Sequence, residues 1–339
     1  MKRKLSLLAV SAAMFAAVPA QAQTEIQWWH SMTGGLNDWV VDLANGFNAS
    51  QKEYKVVPTY KGSYEESMPA SIAAYRAGHA PHILQVYEVG TATMMAAKGA
   101  IVPVGKVLSD AGYKFDPRGY IPAVVGYYTA PNGQMLSFPF NSSTTVLNYN
   151  KDLFRKAGLD PNKPPQTWPE LALAAAKLKA SGVDCPFTTS WQGWAQLEGF
   201  STWHNTLFAS HNNGFGGTKA RLIFNSPLHV RHIENLANMA KSGLFQYRGR
   251  GNKADASFYS GECAMATASS STYASIKKNA KFDFGIAPLP YYPDVAGAPQ
   301  NTLIGGASLW VMSGKKPQEY KGVAAFFNYL TVPEIQAKS

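Results

Sequence analysis

The sequence is poor in the residues that most often perform catalysis or hold metals. Its 339 residues include two cysteines, too few for a multi-cysteine zinc site and too far apart for a CxxC redox pair. It contains no P-loop, no HExxH helix and no GxSxG elbow. His79 and His82 have a spacing that suits a helical metal pair, but Pro81 lies between them and breaks a helix. We therefore predict a non-enzymatic protein with no catalytic residues, no metal and no cofactor.

Long apolar runs are also missing, except at the amino terminus. There the basic residues Lys2, Arg3 and Lys4 precede an apolar run over 5–18 and the small-x-small sequence Ala20-Gln21-Ala22. This order is typical of a secretory signal peptide, so we predict that residues 1–22 are removed by cleavage before Gln23. The run is shorter than the about 20 residues that a membrane span needs, and we expect the exported chain not to be membrane-inserted.

Acidic residues are outnumbered by basic ones, 21 against 31, and the formal net charge is +10. The charge falls to about +7 when the three basic residues of the leader are left out. The remaining basic residues are scattered, and Arg248, Arg250 and Lys253 come nearest to a cluster. Nucleic-acid binding would need a continuous basic stripe or a recognisable module. We therefore predict no nucleic-acid partner and interpret the charge as a basic, solvated surface.

After the leader, apolar residues alternate between strand and helix periods. Strands are predicted at 25–29, 54–60 and 82–87, and helices at 36–47 and 65–76, which indicates an α/β fold. The chain is long enough for two domains and has no flexible linker, so two lobes are expected to exchange chain more than once. We predict lobe 1 in 23–138 with a return over 269–313, and lobe 2 in 139–268 with a return over 314–339.

Polar and aromatic residues follow several of these strands, where open α/β sheets bind ligands. The segments are Trp29-His30-Ser31, Gly62-Ser63-Tyr64-Glu65, Tyr87-Glu88, Asn141-Ser142-Ser143-Thr144 and Trp191-Gln192-Gly193-Trp194. Each has a simpler explanation as a turn, a solvated strand end or core packing. Two tryptophans three residues apart would fit a buried helical stripe, although the Gln-Gly between them favours a loop. Together the segments predict a site for a small polar solute.

The two cysteines, Cys185 and Cys263, can be joined in an exported protein, because an oxidising compartment permits one disulfide. Two buried free thiols are the open alternative.

Two further runs are more specific. Residues 149–160, Tyr-Asn-Lys-Asp-Leu-Phe-Arg-Lys-Ala-Gly-Leu-Asp, and 165–171, Pro-Gln-Thr-Trp-Pro-Glu-Leu, resemble the signature of extracellular solute-binding proteins, family 1, of carbohydrate-type ABC importers. Segments that are similar to members specific for glycerol phosphate are Trp29–Met32, Pro58–Gly62, Leu84–Met95, Pro139–Thr144, Trp191–Trp194 and Asn301–Met312. The resemblance covers essentially the whole chain after the leader.

The resemblance implies a two-lobed type II periplasmic binding protein that closes on its ligand by a hinge. Tyr64, Glu88, Ser143, Ser269 and Gly306 match ligand-binding positions of the family, and Ser142 adjoins one of them. Trp191 and Trp194 match an aromatic pair that packs on the glycerol part of the ligand. Members of the family continue beyond the position of Ser339, so the final part of lobe 2, with a tyrosine and an arginine used on the ligand, is expected to be missing.

The implied ligand is sn-glycerol 3-phosphate, and the implied partners are the permease subunits and the ATPase of an ABC importer. The protein is expected to be periplasmic and monomeric. Glycerophosphodiesters and neutral oligosaccharides are alternatives within the family. A secreted phosphodiesterase is the alternative from another class, and it would need a metal cluster or a nucleophile with a base, neither of which the sequence displays.

Overall fold

The structure is a computed structural model that describes residues 23–97, 99–214 and 216–337; the predicted signal peptide lies outside these residues. Within these residues, ten strands form two sheets. They are β1 Thr24–His30, β2 Tyr54–Tyr60, β3 Ile83–Tyr87, β4 Ile101–Val102, β5 Phe138–Ser143, β6 Thr145–Asn150, β7 Cys185–Thr189, β8 Cys263–Ser269, β9 Phe284–Ala287 and β10 Gly305–Met312.

Helices cover both sheets. In chain order they are Gly35–Ser50, Tyr64–Arg76, Thr91–Ala96, Val104–Asp110, Pro122–Tyr127, Lys151–Lys156, Trp168–Ala180, Gly199–Trp203, Pro227–Lys241, Asp255–Tyr259, Thr272–Asn279, Pro317–Leu330 and Pro333–Gln336. Short 3-10 turns occupy Glu88–Gly90 and Pro117–Gly119, and Trp194–Glu198 is a π-helix. Ser210–Asn213 is a turn with left-handed residues inside it. Among the described helices, none is both long enough and apolar enough to pass through a bilayer.

The first sheet has the order β2-β1-β3-β10-β4, with β5 also paired to β10. Strands β1, β2 and β3 are parallel, and β10 runs antiparallel to its neighbours. The alternation in β1 buries Ile26 and Trp28, which pack against Phe47 and Phe326 from two covering helices. This period-two pattern on a strand under helices is what the sequence predicts for an α/β layer.

The second sheet has the order β7-β8-β6-β9 and its own core. The helix Trp168–Ala180 starts at a capping box, in which the Thr167 hydroxyl accepts from the Glu170 N–H at 3.3 Å and the Glu170 carboxylate accepts from the Thr167 N–H at 3.1 Å. Cys185 and Cys263 face each other at the start of the parallel pair β7–β8 and are joined by a disulfide. The disulfide therefore ties together two strands that are 78 residues apart in sequence.

The chain passes between the two lobes at two places. It leaves the first sheet after β5 and enters the second at β6, and it returns between β9 and β10. The crossings touch each other, because the hydroxyls of Thr145 and Thr302 are hydrogen-bonded at 2.9 Å. A few residues at element ends, as in these crossings, are where a hinge between two lobes is expected.

The predicted lobe boundaries need correction at three segments. Strand β5, Phe138–Ser143, pairs with β10 in the first sheet, so lobe 1 continues to 143. Strand β9 pairs with β6, so most of 269–313 before β10 belongs to the second lobe. The helix Pro317–Leu330 buries its apolar face in the core under β1, so the described part of the predicted 314–339 return, up to 337, lies with the first lobe and not the second. Helical periodicity reveals that a face is buried, but not which sheet buries it.

Candidate functional site

A cleft of about 780 Å³ lies between the two lobes, and both line it. The first lobe contributes the turn after β1, the start of the helix Tyr64–Arg76, the end of β3 and the start of β10. The second lobe contributes the tryptophan segment, a loop at 250–253 and the residues after β8. Seven of the eight residues singled out from the sequence lie in its lining: Tyr64, Glu88, Ser143, Trp191, Trp194, Ser269 and Gly306.

Ser142 is the residue that the structure does not bring to the cleft. It is exposed, whereas its neighbour Ser143 lines the cavity. Successive side chains of a strand point to opposite faces, so two adjacent serines on β5 cannot both face the same cavity.

Glu88 lies at the end of β3 and is 9% exposed. Burial raises the pKa of its carboxyl from 4.5 to about 7, although the N–H groups of Gly306 and of Glu88 itself bond to the carboxylate and act in the opposite direction. The carboxylate of Glu198 on the other lobe adds repulsion and also raises the pKa. Glu88 is therefore a buried acid that can accept a hydrogen bond from a ligand hydroxyl or keep its own proton near neutral pH.

Tyr64 packs its ring face to face on Tyr87, with ring centroids 4.8 Å apart and an interplanar angle of 6°. Burial raises the pKa of the Tyr64 phenol, and the nearby Glu88 carboxylate raises it further. The phenol is thus a neutral hydrogen-bond donor at any physiological pH. Across the cleft, the Trp191 ring lies 6.4 Å from the Tyr64 ring, which joins the aromatic surfaces of the two lobes.

Gly306 has to be glycine for two reasons. Its φ of 113° lies in a region that residues with a side chain rarely adopt. A Cβ at this position would lie 2.1 Å from the Asn141 carbonyl oxygen on the neighbouring strand β5. The Gly306 N–H donates a hydrogen bond to the Glu88 carboxylate.

The tryptophan segment is partly helical, which corrects the prediction of a loop. Trp191 is in a turn with φ of 50°, and Trp194 is the first residue of the π-helix Trp194–Glu198. The Trp194 indole reaches the first lobe at Gly305, where a Cβ would lie 2.5 Å from its Cζ2 atom. Within the described residues, its buried Nε1–H has no acceptor, so the indole contributes to the cleft through its ring.

Hydroxyl groups gather at the start of the helix Thr272–Asn279. The Ser269 and Ser271 hydroxyls are 2.8 Å apart, and Ser269 and Thr272 are both buried. The first turn of a helix presents unsatisfied N–H groups and a partial positive charge, which favour an anionic group of a ligand.

Several charged residues of the cleft are missing from the sequence-based set. Arg250 and Lys253, which the sequence suggests are ordinary surface residues, line the cavity, as do Glu198 and Asp255. Burial raises the pKa of Asp255 to about 6, although its carboxylate accepts a hydrogen bond from the Ser190 hydroxyl. Burial also raises the pKa of Glu198. No local motif marks these residues, and only the long-range pairing of strands brings them together.

No group of three or more His, Cys, Asp or Glu side chains that could hold a metal ion occurs in the described ranges. What the cleft offers is hydrogen-bond donors and acceptors, aromatic faces and two cations, contributed by two lobes that the chain connects twice. Fold and cleft together define the class as a two-lobed solute-binding protein.

Comparison with known proteins places the chain within that class. The model of the bacterial extracellular solute-binding protein family matches residues 42–339, and the chain belongs to this family. It is 57% identical over 320 residues to the sn-glycerol-3-phosphate-binding periplasmic protein UgpB of Yersinia pestis. The aligned region covers 94% of this chain and 73% of that protein. It is 55% identical over 334 residues to the protein of the same name from Escherichia coli O1:K1, covering 98% of this chain and 76% of the relative.

The fold is also similar to solved structures. The crystal structure of UgpB from Mycobacterium tuberculosis in complex with glycerophosphocholine superimposes with a TM-score of 0.77, covering 93% of this chain and 79% of that one. The two sequences are 22% identical, so this likeness supports the two-lobed fold.

Proposed function

We propose that this protein is the substrate-binding component of an ABC importer, which captures sn-glycerol 3-phosphate in the periplasm and delivers it to the membrane permease. The observation that carries the proposal is the 55–57% identity, over nearly the whole chain, to binding proteins named for this ligand. Export would follow cleavage before Gln23, and the protein would act as a monomer without changing its ligand chemically.

The cleft suits the chemistry of this ligand. The Glu88 carboxylate can accept hydrogen bonds from glycerol hydroxyls, and the faces of Trp191 and Trp194 can pack on the carbon-bound hydrogens. Ser269 and the start of the helix Thr272–Asn279 offer donors to the phosphate oxygens. Residues of both lobes would contact one small molecule. The ligand would therefore bind the form in which the lobes are closed together more tightly than the open form, and so stabilise it.

The cleft is lined by more acidic than basic side chains, which would disfavour an anionic ligand if all the acids were ionised. The lining carries the carboxyl groups of Glu65, Glu88, Glu198 and Asp255 against the two cations Arg250 and Lys253. Burial raises the pKa of Glu88 and Asp255 to about 7 and about 6, so part of this negative charge is neutralised by protons near neutral pH. A phosphate entering the cleft would raise these pKa values further, because a nearby like charge favours the protonated acid.

Glycerophosphodiesters are a second class of candidate ligand, and the size of the cleft favours them. A volume of about 780 Å³ lies in the range of sites for drug-sized molecules, about 300–1,000 Å³, and exceeds what glycerol phosphate alone would fill.

Calorimetric titration with a ligand panel tests the function. We expect binding of sn-glycerol 3-phosphate, weaker or comparable binding of glycerophosphocholine, and no heat from glycerol or from maltose. Preference for maltose would replace the proposal by a sugar-binding function. Incubation of the protein with glycerophosphocholine, followed by phosphorus NMR, should return the unchanged diester; hydrolysis would indicate a phosphodiesterase.

A further inference from the structure

The π-helix Trp194–Glu198 has two faces with different surroundings. Trp194 and Glu198 line the cleft, whereas Gln196, between them, points away from it and is 3% exposed. The Gly199 N–H closes the wide turn by bonding to the Trp194 carbonyl. A π-helix is rare and intrinsically less favourable than an α-helix, so tertiary contacts have to hold it in place.

Those contacts converge on the Gln196 amide. Its Nε2 donates to the hydroxyl of Thr189 at 2.9 Å and to that of Thr267 at 2.7 Å. The two threonines belong to the neighbouring strands β7 and β8, and the Thr267 hydroxyl donates to that of Thr189 at 2.8 Å. The amide therefore fastens the π-helix to the edge strand β7 and its neighbour β8 in the second sheet.

The other end of the amide is held by His232. Its Nε2 lies 3.0 Å from Gln196 Oε1 and donates to it. The imidazole is completely buried and stacks on Phe200, with ring centroids 4.0 Å apart and an interplanar angle of 8°. Burial lowers the pKa of His232 to about 3, so the ring is neutral and keeps one N–H donor. All polar atoms of the Gln196 amide thus have partners in a dry environment, where such bonds define a unique arrangement.

His232 is three residues from His229 on the helix Pro227–Lys241, a spacing that would suit a metal pair. The structure instead gives each ring separate partners, since His229 bonds to the hydroxyls of Ser201 and Ser226. His232 donates its hydrogen bond to Gln196 of the π-helix.

We propose that Gln196, held by His232, Thr189 and Thr267, is a positioning residue that fixes the orientation of Trp194 in the cleft. Gln196 does not line the cavity, and its effect on the ligand is exerted through the indole two residues earlier. A change at Gln196 lets the π-helix relax and turns Trp194 away from Gly305. The consequence for affinity rests on the proposed binding function, but the orientation of Trp194 does not.

The first measurement therefore uses no ligand. The protein is labelled with 5-fluorotryptophan, and the fluorine resonance of Trp194, one of eight tryptophans, is identified by its loss in Trp194→Phe. In Gln196→Met, a substitution of similar volume, we expect this resonance to shift or broaden while most others stay in place. The matched control is Thr188→Val, because Thr188 is equally buried on β7 but bonds to the Gln246 carbonyl on the other side.

A pair of variants at His232 separates positioning from general destabilisation. His232→Gln keeps an N–H donor for Gln196, whereas His232→Leu removes it. We expect His232→Gln to retain the Trp194 resonance and most of the affinity. We expect His232→Leu and Gln196→Met each to weaken sn-glycerol 3-phosphate binding about tenfold, because each loses one buried hydrogen-bonded contact.

The outcomes are distinct. An unchanged Trp194 resonance in folded Gln196→Met overturns the positioning role, as does equal behaviour of His232→Gln and His232→Leu. Failure of the unmodified protein to bind the ligand would refute the proposed function, while the fluorine spectra would still decide the role of Gln196. If Gln196→Met does not fold, the His232 pair gives the decision.

Discussion

Replacing Glu88 by glutamine should stabilise the ligand-free protein, and the gain should grow with pH. In the folded protein, burial raises the pKa of this carboxyl from 4.5 to about 7. A group whose pKa is raised by folding favours the folded state below its unfolded pKa, and this contribution is lost as the pH rises through the folded value. Between about pH 4.5 and pH 7, Glu88 therefore makes the protein progressively less stable, and a glutamine, which does not titrate, removes that dependence.

The magnitude follows from the two pKa values. One pKa unit corresponds to 1.36 kcal/mol, so a shift of about 2.5 units gives a full effect of about 3 kcal/mol. Most of it develops between pH 5 and pH 8, where linkage gives a difference of about 2.5 kcal/mol. Urea denaturation of both proteins at the two pH values measures it directly, as the change in the difference of their unfolding free energies.

The matched control is Glu234→Gln, on an exposed position of the helix Pro227–Lys241, which should leave the stability difference nearly the same at both pH values. A Glu88→Gln protein whose stability relative to the unmodified protein does not change between pH 5 and pH 8 would refute the reasoning.

The same variant should bind sn-glycerol 3-phosphate more weakly, because an amide is a poorer acceptor for glycerol hydroxyls than a carboxylate. A residue retained for binding at a cost in stability is expected at a functional site.

Three further predictions concern the second lobe and the cleft. Trp194→Ala should lower affinity by at least about tenfold in calorimetry with an unchanged circular dichroism spectrum, since it removes an aromatic face; unchanged affinity would contradict its place in the site. Gly305→Ala should also weaken binding, because its Cβ would lie 2.5 Å from Trp194 Cζ2, and Gly305→Ala combined with Trp194→Ala should add little. Replacing Cys185 and Cys263 by alanine opens a loop of 78 residues and should destabilise the protein by about 4 kcal/mol in the chain-entropy model; a thermal midpoint unchanged by the double substitution would contradict this.

Local patterns predict much of the fold. Alternation predicts β1 and β2 to within a residue or two, and helical periodicity over 36–47 and 65–76 predicts the helices Gly35–Ser50 and Tyr64–Arg76. Each of these signals is contained in fewer than about 15 residues, which is the range over which periodicity and capping act.

The assignment of segments to lobes could not be predicted in the same way. Strand β5 contains Pro139 and two serines and has little strand character, and β10 recruits it into the first sheet. The pairing of strands far apart in sequence also explains the charged residues that sequence reasoning passed over. Glu198 and Asp255 reach the cleft because β7 and β8 are neighbours, which no local pattern reveals.

The family resemblance supplied seven residues of the lining, but it did not reveal what holds them. Trp194 is predicted as one of an aromatic pair on a loop, whereas the structure shows it as one end of a π-helix fastened by Gln196. Buried hydrogen-bonded networks leave little trace in a single sequence, because glutamine and threonine are also common on surfaces.

The contacts between the lobes suggest how the cleft responds to a ligand. Across its edge, Lys278 and Asp38 form an ion pair at 3.1 Å, but both side chains are 61% exposed, and such pairs add little stability. Nearer the centre, Trp194 meets Gly305 with no hydrogen bond from its indole N–H within the described residues. These two contacts between the lobes are thus an exposed ion pair and a contact without a hydrogen bond, and the crossings near Thr145 and Thr302 are where we expect the lobes to rotate. A ligand that packs on the Trp194 ring and reaches Glu88 on the other lobe would add contacts to both lobes, so we expect the lobes to close more firmly in its presence than in its absence.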